Sequence, residues 1–562
     1  MPMRTRRTRG ARLPYGTLVA AATAALLATL VTPAGARPEP SPVSSASSVR
    51  ESRPVHSYAD AVRESVWVDT GLDGDGDGRA DRVAVDIVRP REPAAAGRKI
   101  PVIMDASPYY ACCGRGNEGQ KKTYDADGDP VGFPLFYDNF FVPRGYAYAA
   151  VDLAGTSRSD GCDDVGGRSD VQSAKAVVDW LGGRARGYTS RTGDTRARAT
   201  TWSTGNVGMI GKSWDGTVAN GVAATGVEGL KTIVPIGAIS SWYDYFHSQG
   251  APLYDANPSW LSDYVNSPEA RARCGAVQDR ITAGTPYSGD LTPAWTERDH
   301  VRDAGKVRAS VFVVHGQQDL NVRANQFGRW WDALAAHGVE RKIWLSQTGH
   351  VDPFDFRRAE WVRTLHRWFD HHLLGYENGI DREPVADIER APDHWTTDRH
   401  WPPRTTATTT LRPAPGDSAC FKETEARTAD VGFTVVSRGW ADLGTWADPR
   451  EERPLTPGRA YTMTLDLAST DHVVPAGHRL ALIVGGTDKD LLDPPSTTPT
   501  LVLDLARTRA ELPLVGGAAA FARATSGPHP AVPAPSVVPS PLGAEPPVGV
   551  TGPRLPGSGA AR

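Results

Sequence analysis

Apolar and polar positions change rhythm twice along this chain, and each rhythm predicts a different kind of layer. Between Val83 and Ile236 the runs RVAVDIV, PVIMDAS, YAYAAVDLAG, NVGMIG and KTIVPIG are short, rich in β-branched or aromatic residues, and bounded by Gly, Pro or Asp. Those are the marks of strands. Between them, DVQSAKAVVDWLGG sets Val171, Ala174, Val177, Val178 and Leu181 at helical spacing, and SWDGTVANGVAA runs on from NVGMIG as a second helix. Strand and helix in alternation predict a mostly parallel sheet covered on both faces. The pattern resumes with ASVFVVHG as a strand, NQFGRWWDALAAHG as a helix, RKIWLSQ as a strand and DFRRAEWVRTLHRWFDHHLLG as a long helix. The interruption, residues 246–300, is rich in Trp, Tyr, Pro and charge and has no strand runs. It reads as a cap inserted over the carboxyl edge of the sheet.

After about residue 380 helical periodicity fades. RTTATTTLRP, DVGFTVVSRG, AYTMTLDLAST, HRLALIVGG and TLVLDLA are strand-like pieces between Pro and Gly turns, which predicts a β-sandwich. From about Ser526 the chain is a Pro, Gly, Ala and Ser mixture that cannot bury enough apolar surface to order itself. The domain reading is therefore a leader over 1–36, an α/β core over 55–245 and 301–378, the cap over 246–300, a sandwich over 379–522 and a disordered tail over 523–562.

The leader rests on a basic start, MPMRTRRTRGARL, an alanine-rich apolar run, GTLVAAATAALLATLV, and Ala34-Gly35-Ala36, the small-x-small pattern of a cleavage site. It predicts an exported, secreted protein with no membrane span. The 562 residues carry a net charge of −3 and are 40% hydrophobic and 23% charged, so the core is ample and no basic field suits nucleic acid. Five cysteines are present. An exported chain permits disulfides, and a bridge from Cys112 or Cys113 to Cys162 is expected, because both segments flank the site described next. The cysteine spacings make no zinc motif, and no cofactor is expected.

Candidate chemistry centres on MIGKSWDGTVAN. The nucleophile-elbow spacing is G-x-S-x-G, whereas this chain has Asp215 in place of the second glycine and Gly216 one position later. Ser213 nevertheless falls at a strand-to-helix corner, where a hydroxyl is exposed above a sheet and a helix N-terminus offers donors. A serine nucleophile needs a base and an acid, which on this architecture follow in the order Ser, Asp, His. Asp319 lies just past the strand VFVVHG, and His350 just past RKIWLSQ. His315, inside a strand run, reads as a packed histidine; Asp352 and Asp355 are alternative acids. The Trp214 backbone N–H is one expected oxyanion donor. The loop carrying Pro108, Tyr109 and Tyr110 after PVIMDAS could supply a phenol as the second, although such tyrosines equally serve as packing aromatics.

Together SPYY, AAVDLAGTSRSDG with a helix ending VVDWL, GKSWDGT, AISSWYDYF, HGQQD and TGH resemble the Xaa-Pro dipeptidyl-peptidase family of α/β-hydrolases, which includes the bacterial cocaine esterase and the α-amino acid ester hydrolases. The resemblance runs from about Val66 to about Leu505. It implies an α/β-hydrolase core with an inserted helical cap and a C-terminal jelly-roll sandwich, to which STDHVVPAGHRLALIVGG contributes a strand pair. It also implies Ser213, Asp319 and His350 as nucleophile, acid and base, Tyr109 as the oxyanion phenol, and Trp242 and Tyr243 as pocket residues of the peptidase branch. The implied reaction releases an N-terminal dipeptide after proline from peptide substrates. An esterase or acyltransferase acting on small acyl or amino-acid esters would use the same residues, and a glycan-binding protein with a vestigial triad is the reading from another class. Asp244 is a candidate carboxylate for the substrate ammonium. Separately, Asp73, Asp75, Asp77, Gly78 and Asp81 resemble a calcium loop, but its twelfth position is Ala84 and a strand follows. A solvated acidic turn with no metal is the favoured reading.

Overall fold

The computed structural model describes residues 51–111, 121–253, 257–413, 434–478, 480–486, 488, 491–492 and 501–527. The leader over 1–36, Cys112, Cys113 and Cys420, and most of the proline-rich tail lie outside them. Among the described residues no helix is long and apolar enough to cross a membrane.

A twelve-stranded sheet organises the chain. Its main strands are β1 (Val62–Asp69), β2 (Arg82–Arg89), β3 (Ile100–Ser107), β4 (Ala147–Asp152), β5 (Ser203–Lys212), β6 (Leu230–Ile236), β7 (Ser310–Gly316), β8 (Arg341–Ser346), β9 (Ala386–Ala391) and β10 (His394–Asp398). They lie in the order β10-β9-β8-β7-β6-β5-β3-β4-β2-β1, with the short pieces Gly187–Tyr188 and Arg196–Ala197 beyond β1. From β9 through β4 neighbours run parallel, and β1, β2 and β10 join antiparallel. This is the α/β-hydrolase arrangement.

Burial explains the sequence rhythm. Every residue of β3 and of β4 is buried, as required of strands covered on both faces. β1, nearer the edge, alternates partly buried with buried positions in its second half. On one face lie α1 (Arg168–Leu181), α2 (Trp214–Ala224) and α5 (Asn325–Ala336); on the other lie α6 (Arg358–Leu374) and the turn Tyr137–Phe141. All eleven residues of α2 are buried, so its Gly, Ala and Val content lets it sit tightly between sheet and neighbours. The helices α3 (Pro258–Val265) and α4 (Gly275–Gly284), with Pro293–Glu297, form an insertion between β6 and β7.

Three expectations need adjustment. Strands β9 and β10, placed by sequence in the sandwich, extend the main sheet, because β9 finds a parallel partner in β8. Farther along the chain β11 (Thr406–Leu411) pairs antiparallel with β12 (Ala510–Val515). Among the described residues of 434–505 no strand is assigned, and Leu480, Leu482, Ile483 and Val484 are exposed. Strand-like composition makes a strand only where a partner backbone accepts its hydrogen bonds. Finally, Gly517–Thr525 is a helix, so regular structure runs into the stretch read as tail as far as Thr525.

The disulfide also differs. Cys162 bonds Cys274, not Cys112 or Cys113. It joins the loop after β4 to the start of α4 and is buried among Ala270, Val277 and Ile281. The acidic turn holds its carboxylates by local bonds: Asp73 and Asp81 accept from Gly78 N and Gly74 N, and Arg273 pairs with Asp75 at 3.0 Å.

The disulfide closes a loop of 112 residues, which in the chain-entropy account stabilises by about 4–5 kcal/mol. The double variant Cys162→Ser, Cys274→Ser is expected to unfold at markedly lower temperature and to lose most of the sensitivity to reductant. Equal sensitivity in variant and parent by calorimetry would place the stabilising bridge elsewhere.

Candidate active site

Ser213 ends β5 and precedes α2 with φ 61° and ψ −123°, a backbone state that non-glycine residues rarely adopt. Two glycines make this corner possible. A Cβ on Gly211 would lie 2.5 Å from the Asp215 Cβ, and one on Gly216 would lie 2.5 Å from the Gly211 carbonyl oxygen. Gly216, one position later than the usual second glycine of the elbow, packs directly on the Gly211 carbonyl, where any side chain would collide. The corner is anchored by Ser213 N–H donating to Ile236 O at 2.8 Å, and by Thr217 N–H and Oγ1 donating to Ser213 O. Trp214 is the first residue of α2, so its N–H has no acceptor within the helix.

Asp319 and His350 meet at 2.6 Å, Oδ2 to Nδ1. Their loops come together through glycines: a Cβ on Gly316 would lie 2.1 Å from the Gly349 carbonyl oxygen. Gln317 N–H and Gln318 N–H donate to Ser346 O and Thr348 O and tie the two strand ends together. The other carboxylate oxygen, Oδ1, accepts from Asn321 N and Val322 N. Burial alone would raise this carboxyl; the facing His350 ring, their hydrogen bond, His315 and the Val322 amide more than offset it and hold Asp319 below the usual carboxylate range. Ser213 and this pair converge on one residue. Gly237 follows the carbonyl that receives Ser213 N–H, and a Cβ there would lie 3.2 Å from His350 Nδ1 and 3.5 Å from Asp319 Oδ2. A buried carboxylate that accepts from Nδ1 leaves Nε2 of the ring as a base.

The remaining predicted residues divide. Tyr109 packs edge-on against Trp214 at 6.0 Å, whereas Tyr110 is buried and turns its hydroxyl toward Asp105 O. Burial, then the Asp215 charge, pushes the Tyr109 phenol well above 10, so it keeps its proton. Trp242 is 1% exposed, between Trp214, Tyr245 and Phe246. Tyr243 commits its hydroxyl to Gly289 O and Gly250 N. Trp242 thus backs the corner through Trp214, whereas Tyr243 packs on His247 and Trp295. Asp244 lies beside Arg329. His315 is buried with Nε2 on Val322 O, as its strand position implies.

Sequence reading missed two supports. The Trp214 indole Nε1 and Gly166 N both donate to Asp170 Oδ2, at 2.8 and 2.7 Å. Asp170 is fully buried beside Asp163. Burial, then the Asp164 charge, raises it to about 7, and burial with the Asp170 charge raises Asp163 well above its usual value. The visible hint was the acid-rich run SDGCDDVGGRSD opening an apolar-faced helix. The second support is Gln317, whose Oε1 accepts from Asp471 N at 2.5 Å, while Arg390 grips the Asp471 carboxylate at 2.8 and 2.9 Å. The acid loop is thereby tied to the C-terminal segment.

Comparison with known proteins identifies the family. The model of the X-Pro dipeptidyl-peptidase (S15) family matches residues 75–352, and that of the X-Pro dipeptidyl-peptidase C-terminal non-catalytic domain matches 422–527. A Streptomyces avermitilis protein named "Putative Xaa-Pro dipeptidyl-peptidase" is 59% identical, over 94% of this chain and 92% of the relative. The chain belongs to the X-Pro dipeptidyl-peptidase family. It is a serine hydrolase of that family, with the family's C-terminal domain. A Bacillus anthracis relative of the same name is 32% identical over 82% of this chain and 89% of its own. Among solved structures, an aminopeptidase from a marine sediment thaumarchaeon is 15% identical with a TM-score of 0.46, over 71% of this chain and 68% of that one.

The raised acids give a pH signature. Folded Asp170 and Asp163 hold protons that the unfolded chain releases near pH 4, so their contribution to stability is full below that pH and falls as pH rises toward about 7. Asp170→Asn, which keeps an oxygen for Trp214 and Gly166, is expected to flatten that decline in thermal midpoint. Asp170→Ala, which strands two buried donors, is expected to cost about 3 kcal/mol. An unchanged pH profile in the Asn variant would place the titration on other groups.

Proposed function

We propose that this protein is an exported serine exopeptidase that releases Xaa-Pro dipeptides from peptide N-termini. The observation that carries the reading is the convergence on Gly237 of a strained serine corner and a buried carboxylate–histidine pair. In this mechanism His350 Nε2 takes the Ser213 proton as Oγ attacks the carbonyl carbon of the proline residue. Asp319 holds the ring and stabilises the imidazolium that forms. The Trp214 N–H and the Tyr109 hydroxyl donate to the oxyanion, the phenol being suited to it because it stays protonated. The imidazolium returns its proton to the leaving amine, and water then repeats the sequence on the acyl-enzyme.

Export is supported by the basic and apolar N-terminal pattern ending in Ala-Gly-Ala and by the Cys162–Cys274 bond, since such bonds persist in oxidising compartments.

The test compares Ala-Pro-p-nitroanilide with its N-acetylated form. The parent is expected to cleave only the free amine. Ser213→Ala and His350→Ala are expected to lower kcat by about a million-fold, and Asp319→Asn by about 10⁴-fold. Tyr109→Phe is expected to lower kcat about 10²- to 10³-fold with KM little changed. Cleavage that survives Ser213→Ala would sink the mechanism. Ser213-dependent hydrolysis of small esters with neither anilide cleaved would instead indicate an esterase.

A further inference from the structure

At the sheet edge opposite Ser213, Glu340 precedes β8 and His371 and His372 occupy the last turn of α6. One ligand atom from each of these three residues falls within 4.8 Å of the others. The His372 side chain is 9% exposed, and its Nε2 is buried with no hydrogen-bond partner, 3.8 Å from Glu340 Oε1. Packing on Trp368 at 4.3 Å between ring centres accounts for the burial of that ring, but it leaves the nitrogen unsatisfied, an arrangement that is costly without a ligand.

We infer that Glu340, His371 and His372 form a divalent transition-metal site, best suited to zinc, that clamps α6 to the start of β8.

The chemistry of the donors fits. Two imidazoles and a carboxylate with an open position suit a borderline-soft cation rather than calcium or magnesium. His371 Nδ1 lies 3.0 Å from Tyr376 O. A carbonyl can only accept, so that nitrogen carries the proton and the lone pair stays on Nε2, the tautomer that a backbone carbonyl fixes in metal-ligating histidines. The carbonyl end of a seventeen-residue helix adds a partial negative charge at the same place. The Asp381 carboxylate acts on both Glu340 and His372. Ligands about 2.0–2.1 Å from a tetrahedral metal lie about 3.3 Å apart, so the cluster must close by about an ångström. Glu340, 56% exposed, is free to supply that movement.

β8 has six residues, about 20 Å at strand rise, and His350 lies beyond its other end. A cation here therefore joins two elements of the core without touching the reacting atoms, and its effect is on stability rather than on turnover.

The test uses the full chain stripped with a chelator and titrated with zinc chloride by calorimetry, with thermal midpoints and peptidase rate measured in parallel. One equivalent is expected to bind and to raise the midpoint with kcat unchanged. His371→Ala and Glu340→Gln, both at partly or fully exposed positions, are expected to weaken binding at least about tenfold and to abolish the midpoint shift. Asp75→Asn, in the acidic turn, is expected to leave both intact. His372→Ala adds a third reading provided it folds; the other two variants decide the matter without it. Zinc binding that survives His371→Ala and Glu340→Gln, binding lost in Asp75→Asn, or no binding at all would overturn the assignment. None of these outcomes bears on Ser213.

Discussion

The backbone at Ser213 is the constraint around which this molecule is arranged. A serine at φ 61° and ψ −123° costs on the order of 1–3 kcal/mol and persists only when its surroundings leave no alternative. Here those surroundings are particular. Ile236 O fixes the amide, Thr217 fixes the carbonyl, and Gly211 and Gly216 approach so closely that a methyl group on either would collide with backbone or Cβ. The fully buried α2 then locks the corner from behind. The strain has a geometric return, because the hydroxyl is lifted to the sheet edge while the next amide stays open.

The acid and base are held by the same device. Gly316 and Gly349 let two loops touch, and backbone bonds between residues 317–318 and 346–348 carry the rest. Around this centre the structure adds ties between distant segments: Cys162 to Cys274, Asp170 to Trp214, and Gln317 to Asp471. The last two connect an element bearing a proposed functional group to one that does not, and the first ties the loop after β4 to the inserted helices. Lys122 does the same for the chain beyond Tyr110, held at 2.6 and 2.7 Å between Asp86 and Asp152 with its ammonium 4.5 Å from the Tyr110 ring centre. A buried cation between two carboxylates is neutralised in place, so Lys122 cannot leave without stranding Asp86 and Asp152 in an apolar interior.

Much of this was legible beforehand. The runs of β3, β4, β6 and β7 are predominantly apolar with no polar alternation, as parallel strands covered on both faces require. Helices α1, α5 and α6 announced themselves by periodicity. The positions of Ser213, Asp319 and His350 followed from strand ends. The sandwich pieces were another matter. Alternation shows that a segment can pair, and only a neighbour decides whether it does; Thr406–Leu411 found Ala510–Val515, while residues 480–486 run as irregular chain.

Sequence by itself determined what depends on local pattern: the order of strands and helices, the strand-to-helix corner, and the Ser, Asp, His succession. Tertiary structure alone decided what depends on which distant groups become neighbours. It exchanged Cys112 or Cys113 for Cys274 as the partner of Cys162, set Asp244 beside Arg329, packed Trp242 against Trp214, and brought Asp170 to the Trp214 indole. The reason is physical. Periodicity and turn chemistry act over a few residues, whereas hydrogen bonds and ion pairs are satisfied by proximity in space, across separations such as the 112 residues that divide the two cysteines.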